Sequence, residues 1–317
     1  MRKPDLLVVH RYPNEDMREL AKHYTLHVLS DSPDPDALIA DVAQQIRAVA
    51  TNGEAGANAR LIEALPNLGL IACYGVGVDA IDLPLARSKG IRVTNTPDVL
   101  TGDVADMGVG LLLALARHLP AGDAYVRRGD WERATMPLAT RVFGKRLGVL
   151  GMGRVGRAVA RRAAAFDMVI AYHDRAHFDD LQYQYFDDPV ALAAEVDFLI
   201  ICAAAHPANR SLVGARLLDA LGPAGLLVNI ARGSIVDEPV LLQYLRERRI
   251  GGAALDVFWN EPSIDPGFAT LDNVVLQPHR SSATAETRGS MAALVRENLH
   301  AFYNQLPLIT ELAGLTS

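Results

Sequence analysis

Cysteine is nearly absent: 317 residues hold two, Cys73 and Cys202. Both sit in apolar runs, LIAC and FLIIC, and read as small buried hydrophobes in a reduced compartment. Neither a disulfide framework nor a zinc site can be built from them. Positive charge is not in excess either. Lys and Arg number 31 against 37 Asp and Glu, a formal net charge of −6, which gives no electrostatic reason to expect nucleic acid or an anionic membrane as partner. Long hydrophobic runs are missing as well. The longest, near Val109 to Ala116, is far below membrane-spanning length, and Leu6 to Val9 is too short for a signal-peptide core. The cytoplasm is the expected location. There is no internal repeat at a short period and no low-complexity tract.

What is present is an ordinary globular composition, 50% hydrophobic and 21% charged. The length is large for one core, so two domains are expected. The most informative stretch is Leu147 to Asp174. It opens with a short apolar run, LGVL, followed by Gly151, Gly153 and Gly156 at G-x-G-x-x-G spacing. A helical stretch, Arg154 to Phe166, places Val155, Val159, Ala160 and Ala163 on one face, and a second apolar run ends at His173-Asp174. Such a strand–turn–helix–strand unit holds a dinucleotide. The first glycine permits the tight turn, the second admits the pyrophosphate, and the third allows close helix packing. The helix N-terminus offers free N–H groups to phosphate, and a carboxylate roughly 20 residues on suits the adenosine ribose.

Elsewhere strand-like runs alternate with helical segments. Up to about residue 98 the runs are Leu6–His10, Thr25–Leu29, Ala48–Ala50, Leu68–Cys73 and Ile91–Thr94, which predicts a parallel sheet covered by helices. Val104 to Leu119 is apolar nearly all round and predicts one long buried helix. Gly122 to Lys145 reads as an exposed crossover anchored by Tyr125, Trp131 and Phe143. From Arg146 a second alternation predicts a doubly wound sheet, with its ligand crevice at the carboxyl ends of the strands. Thr284 to Gln305 predicts a long final helix that could return to the first domain.

Three further strands end in residues that carry chemistry. Leu226–Ile230 runs into Ala231-Arg232, and the planar Arg232 fork can hold a carboxylate at two points. Ala253–Val257 is followed by Glu261, and Val274–Leu276 by His279. A His beside a carboxylate has its imidazolium stabilised and becomes a competent proton donor. In the first half, Tyr74-Gly75-Val76-Gly77 follows a buried strand and reads as a turn or as a nest of backbone amides for a small anion.

These stretches resemble the D-isomer-specific 2-hydroxyacid dehydrogenase family, in particular its glyoxylate/hydroxypyruvate reductase branch. The matching segments are YGVGVDAID (74–82), TNTPDVLTGDVADMGVGLLLALAR (94–117), GMGRVG (151–156), NIARGSIVDE (229–238), ALDVFWNEP (254–262) and NVVLQPH (273–279), in the family's order. The resemblance implies an α/β protein of two doubly wound parallel-sheet domains, with an active cleft at the hinge. One would be a flavodoxin-like, discontinuous substrate domain, residues 1–98 with 284–317, and the other a Rossmann cofactor domain, 99–283. It further implies that Arg232 binds the substrate carboxylate and polarises the carbonyl. His279 would donate the proton, Glu261 would pair with His279, and the amides of Val76 and Gly77 would hold the carboxylate. Cofactor contacts are implied for Gly151, Gly153, Arg154, Val155, Gly156, Asp174, Arg175, Ile230, Ala231, Asp256, His279 and Ser281, with Asp256 facing the nicotinamide amide.

The implied reaction is NAD(P)H-dependent reduction of a small 2-oxo acid, glyoxylate or hydroxypyruvate, to the D-2-hydroxy acid, by a homodimer and without metal. The rival is a dinucleotide-sensing regulatory or scaffold protein on the same fold. Three features depart from the family pattern, the first being Ala203-Ala204-Ala205-His206 in place of a Pro- or Gly-containing loop. Arg280 and Ser281 stand where a small apolar residue and Gly are common, and Asp174, which repels a 2′-phosphate, is followed by Arg175, which attracts one. Fixed geometry favours Asp174, so a slight preference for NAD over NADP is expected.

Overall fold

The structure, a computed structural model, describes residues 2–312, which form two compact units. One unit takes the chain up to Leu100 and again from Thr284, and the other runs from Thr101 to Ala283.

The first unit holds five strands: β1 (Asp5–Val8), β2 (Thr25–Val28), β3 (Ala48–Asn52), β4 (Leu70–Tyr74) and β5 (Arg92–Thr94). All pair in parallel, in the order β2-β1-β3-β4-β5. The central strands have no polar face: every residue of β4, LIACY, is buried, as a sheet covered on both sides requires. The final helix, Ala285–Tyr303, packs on this sheet although it is far away in sequence. It begins at a Thr284 cap whose side chain takes the Thr287 N–H. Tyr303 Oη then donates to the Asp5 carbonyl at 2.8 Å, and Tyr74 Oη to the Arg288 carbonyl at 2.9 Å.

The second unit holds seven strands: β6 (Arg146–Leu150), β7 (Val169–His173), β8 (Gln184–Phe186), β9 (Phe198–Ile201), β10 (Leu226–Asn229), β11 (Gly252–Leu255) and β12 (Val274–Leu276). They too are all parallel, ordered β12-β11-β10-β9-β6-β7-β8. The order reverses between β6 and β9, and at such a switch point a crevice opens beyond the strand ends. One core cluster of this unit is built on Leu199, Ile201, Leu227, Leu241, Leu255 and Phe268, all nearly inaccessible.

Several elements differ from the sequence pattern. The long apolar helix spans Thr101–Ala116 and stops there, because His118 adopts a left-handed conformation (φ 52°) and Pro120 has no N–H to continue the ladder. Val104, Val109, Leu111, Leu112 and Leu115 are buried, each contributing about 1.5–3 kcal/mol. A separate helix, Leu119–Arg127, follows with the proline in its first turn, where a crossover loop was expected. Two of the expected anchors are not anchors: Trp131 is 73% and Phe143 58% exposed. Strand β8 was not foreseen. No single helix among the described residues is long and apolar enough to cross a membrane.

Candidate active site

The glycine turn lies where β6 ends. Gly151 has φ +97°, and a Cβ there would lie 2.5 Å from the backbone of Ala203 beyond β9. Gly156 is equally constrained, since a Cβ would lie 2.0 Å from the Gly151 carbonyl oxygen as the helix Arg154–Ala164 leaves the turn. Gly153 is different. Nothing lies within 4 Å of the position of its missing Cβ, so no protein neighbour demands glycine there. Open space at the N-cap of a helix that no side chain caps is the feature expected where a pyrophosphate must approach the backbone. Arg154 is exposed and Val155 half-buried at the helix start. At the end of β7, the Asp174 carboxylate is half-buried and held in place. Oδ2 accepts the Met152 N–H and Oδ1 the Arg175 N–H, each at 2.7 Å. The Arg175 side chain is exposed beside it. These residues fit an adenosine dinucleotide.

Beyond β10 the chain turns sharply at Arg232. Asn229, fully buried at the strand's end, shapes the turn by accepting the Ala231 N–H and donating to the Arg232 carbonyl, both at 3.0 Å. The Arg232 guanidinium donates back to the Ala231 carbonyl at 2.7 Å. Ile230, for which a cofactor contact was expected, has a buried side chain. It is buried against the helix Thr101–Ala116, where a Cβ on Gly108 would lie 2.8 Å from Ile230 Cδ1.

His279 follows β12, and its Nδ1–H donates to Glu261 Oε2 at 2.6 Å. Glu261 Oε1 meanwhile accepts the Phe258 N–H at 2.7 Å, so both carboxylate oxygens are fixed. Burial pushes the Glu261 carboxyl up, but His279, the Phe258 amide and Arg232 outweigh it and hold the acid below its usual range. The Glu261 carboxylate thereby fixes the orientation of the imidazole ring through Nδ1. His279 itself sits at φ +50°, a strained conformation for a residue with a Cβ.

Asp256, at the end of β11, maintains that strain. It was expected to face the nicotinamide amide, but it is 0% exposed. Its Oδ1 accepts the Arg280 N–H at 2.7 Å, and its Oδ2 accepts the Ser281 N–H at 2.9 Å and the Ser281 hydroxyl. Its own carbonyl accepts the His279 N–H at 2.8 Å. Asp256 therefore braces the loop that carries His279. Ser281 is drawn inward with it, at 6% exposure, while Arg280 is exposed. The sequence pattern did not single out the bracing roles of Asn229 and Asp256. A polar residue closing an otherwise apolar strand was the available signal for both.

All these groups lie at the carboxyl edge of one sheet. Val76 and Gly77 belong to the other unit. There the Gly75, Val76 and Gly77 carbonyls are taken by the Thr96 N–H, the Asn95 side chain and the Cys73 thiol, at 2.9, 3.0 and 3.5 Å. No protein acceptor stands opposite the Val76 and Gly77 amides among the described residues.

Residues 109–281 match the model of the D-isomer specific 2-hydroxyacid dehydrogenase NAD binding domain. Hydroxyphenylpyruvate reductase of Plectranthus scutellarioides is 46% identical over 92% of this chain and 94% of its own. The 2-ketogluconate reductase of Gluconobacter oxydans (strain 621H) is 42% identical over 97% and 98%. Among solved structures, an NADPH-dependent glyoxylate/hydroxypyruvate reductase from Sinorhizobium meliloti, in complex with NADP and malonate, superposes with a TM-score of 0.93. It is 37% identical and covers 98% of this chain and 97% of that one. The protein belongs to the D-isomer specific 2-hydroxyacid dehydrogenase family of NAD(P)-dependent oxidoreductases.

Proposed function

We propose that the protein reduces a small 2-oxo acid, glyoxylate or hydroxypyruvate, to the D-2-hydroxy acid. The observation that carries this reading is the 2.6 Å bond from His279 Nδ1 to Glu261, on the same sheet edge as Arg232. The bound nicotinamide supplies the hydride. Arg232 grips the substrate carboxylate with its planar fork and places positive charge beside the carbonyl oxygen, where negative charge develops. His279, oriented by Glu261, delivers its Nε2 proton to that oxygen as the alcohol forms. The Val76 and Gly77 amides are read as a nest for a small anion. NAD is favoured slightly over NADP, supported by the fixed Asp174 carboxylate.

Relatives named for hydroxyphenylpyruvate and 2-ketogluconate mark the competing substrates. Steady-state kinetics with glyoxylate, hydroxypyruvate, hydroxyphenylpyruvate and 2-ketogluconate, each against NADH and NADPH, tests the reading. It expects the two small acids to have the highest kcat/KM, and a larger acid leading the series would overturn it.

The protein acts as a homodimer. Support comes from segment 119–143, where Leu119, Val126, Trp131, Leu138 and Phe143 are all exposed, Leu138 at 98%. Sedimentation should give a dimer for the native chain and a monomer for Trp131→Glu with Leu138→Asp. A monomeric native chain would refute it.

A further inference from the structure

Glu238 is a buried acid that the reaction above does not use. It opens the helix Glu238–Arg246 and is 7% exposed. The helix does not need it as a cap, because Asp237 already accepts the Val240 N–H. Its Oε1 instead reaches out of the helix and accepts the Trp259 N–H at 2.5 Å. A second tie runs alongside, from Trp259 Nε1 to the Val236 carbonyl at 2.7 Å. Together they join the segment that begins at Arg232 to the loop that carries Glu261. Between the ties, backbone meets backbone: a Cβ on Gly233 would lie 2.0 Å from the Phe258 carbonyl carbon and 2.5 Å from the Trp259 nitrogen. One residue before the amide that Glu238 holds, the Phe258 N–H holds the Glu261 carboxylate.

We propose that Glu238 is a positioning residue for the Glu261–His279 pair, seating the Glu261 loop on the Arg232 turn through the Trp259 amide. This rests on the roles given above to Arg232, Glu261 and His279. Stability does not account for an acid at this place. Burial, with Asp265 and Glu261 nearby, pushes the Glu238 carboxyl up to about 7 against the pull of the Trp259 amide. A folded-state value raised above the unfolded one means that stability falls as pH climbs from the unfolded value through the folded one. Glutamine would satisfy the Trp259 N–H without that loss. What the carboxyl adds is a negative charge near and above neutrality, which strengthens the tie to the Trp259 amide that seats the Glu261 loop.

The test uses the full chain carrying Glu238→Ala, Glu238→Gln or Trp259→Phe. Steady-state kinetics across pH would be combined with NAD(P)H affinity from fluorescence titration and with thermal melting at pH 6 and pH 8. Glu238→Ala should lose roughly 10- to 100-fold in kcat per folded site, the scale of a displaced catalytic group, with NAD(P)H affinity nearly unchanged. Glu238→Gln should recover most of that loss below neutrality and melt no lower than wild type at pH 8. The alkaline limb of its pH profile should lie at lower pH. Trp259→Phe should lose less in kcat than Glu238→Ala, again with cofactor affinity kept.

Unchanged kcat in Glu238→Ala would overturn the proposal, as would a loss shared with cofactor affinity or one that glutamine does not recover. If Glu238→Ala does not fold, an alkaline limb in Glu238→Gln identical to wild type overturns it. His279→Ala, measured in parallel, separates the two levels. Turnover retained there defeats the reading of the site, whereas its loss beside wild-type behaviour of the Glu238 variants defeats only this inference.

Discussion

Replacing Asp256 with Asn tests whether this residue serves the protein or the cofactor. The carboxylate takes three donors, with Arg280 N–H on Oδ1 and Ser281 N–H and Oγ–H on Oδ2. Asparagine must turn one of those oxygens into an NH2 group. With NH2 toward Arg280, one charge-assisted bond is lost and a buried amide faces another donor. With NH2 toward Ser281, its amide loses its partner while its hydroxyl can rotate to accept. Either way one strong bond disappears and one buried donor is stranded, a loss of about 2–4 kcal/mol. Ser281→Ala removes a hydroxyl from the same acceptor and should lose about 1 kcal/mol. Urea unfolding reads both values. Because the loop holds His279 at φ +50°, Asp256→Asn should also lower kcat while leaving NAD(P)H affinity close to wild type. A variant with unchanged stability and kcat but greatly weakened NAD(P)H binding would show that Asp256 faces the nicotinamide after all.

Arg232→Lys keeps the charge but not the fork. Losing a charge-assisted bond to the substrate carboxylate should lower kcat/KM by roughly 10- to 100-fold, and wild-type values of both kcat and KM would make Arg232 a simple turn residue. For Asp174→Asn, the fixed carboxylate no longer opposes a 2′-phosphate, a repulsion of about 1–4 kcal/mol at a partly exposed site. The ratio of kcat/KM for NADPH over NADH should therefore rise about fivefold or more, and no change would transfer the preference to Arg175 and its neighbours.

Much of this architecture can be read from the residues because buried parallel strands are short apolar runs. LIACY and FLII permit no other placement, and the glycine spacing at 151–156 marks the turn between β6 and its helix. Arg232, Glu261 and His279 stand out because each follows such a run. The side to which a polar residue turns is harder to read. Asp256 and Asn229 end strands just as a ligand-binding residue would, and only the contacts show that they brace neighbouring turns. Glu238 lies in the first turn of a helix, where an acid is ordinary, and nothing local shows that its partner is Trp259. The helix Leu119–Arg127 is obscured by Pro120 and Gly122, which break a helix interior yet are tolerated near its start. Strand β8, QYF within a polar stretch, is an edge strand with little apolar signal.

The central claim is that His279, oriented by Glu261, delivers the proton. Its most direct measurement is NAD(P)H oxidation by wild type and His279→Ala with glyoxylate or hydroxypyruvate, alongside a cofactor-binding titration. The expected result is a fall in kcat of roughly 10²- to 10⁴-fold with NAD(P)H affinity nearly unchanged. Near-normal turnover in the alanine variant would contradict the account.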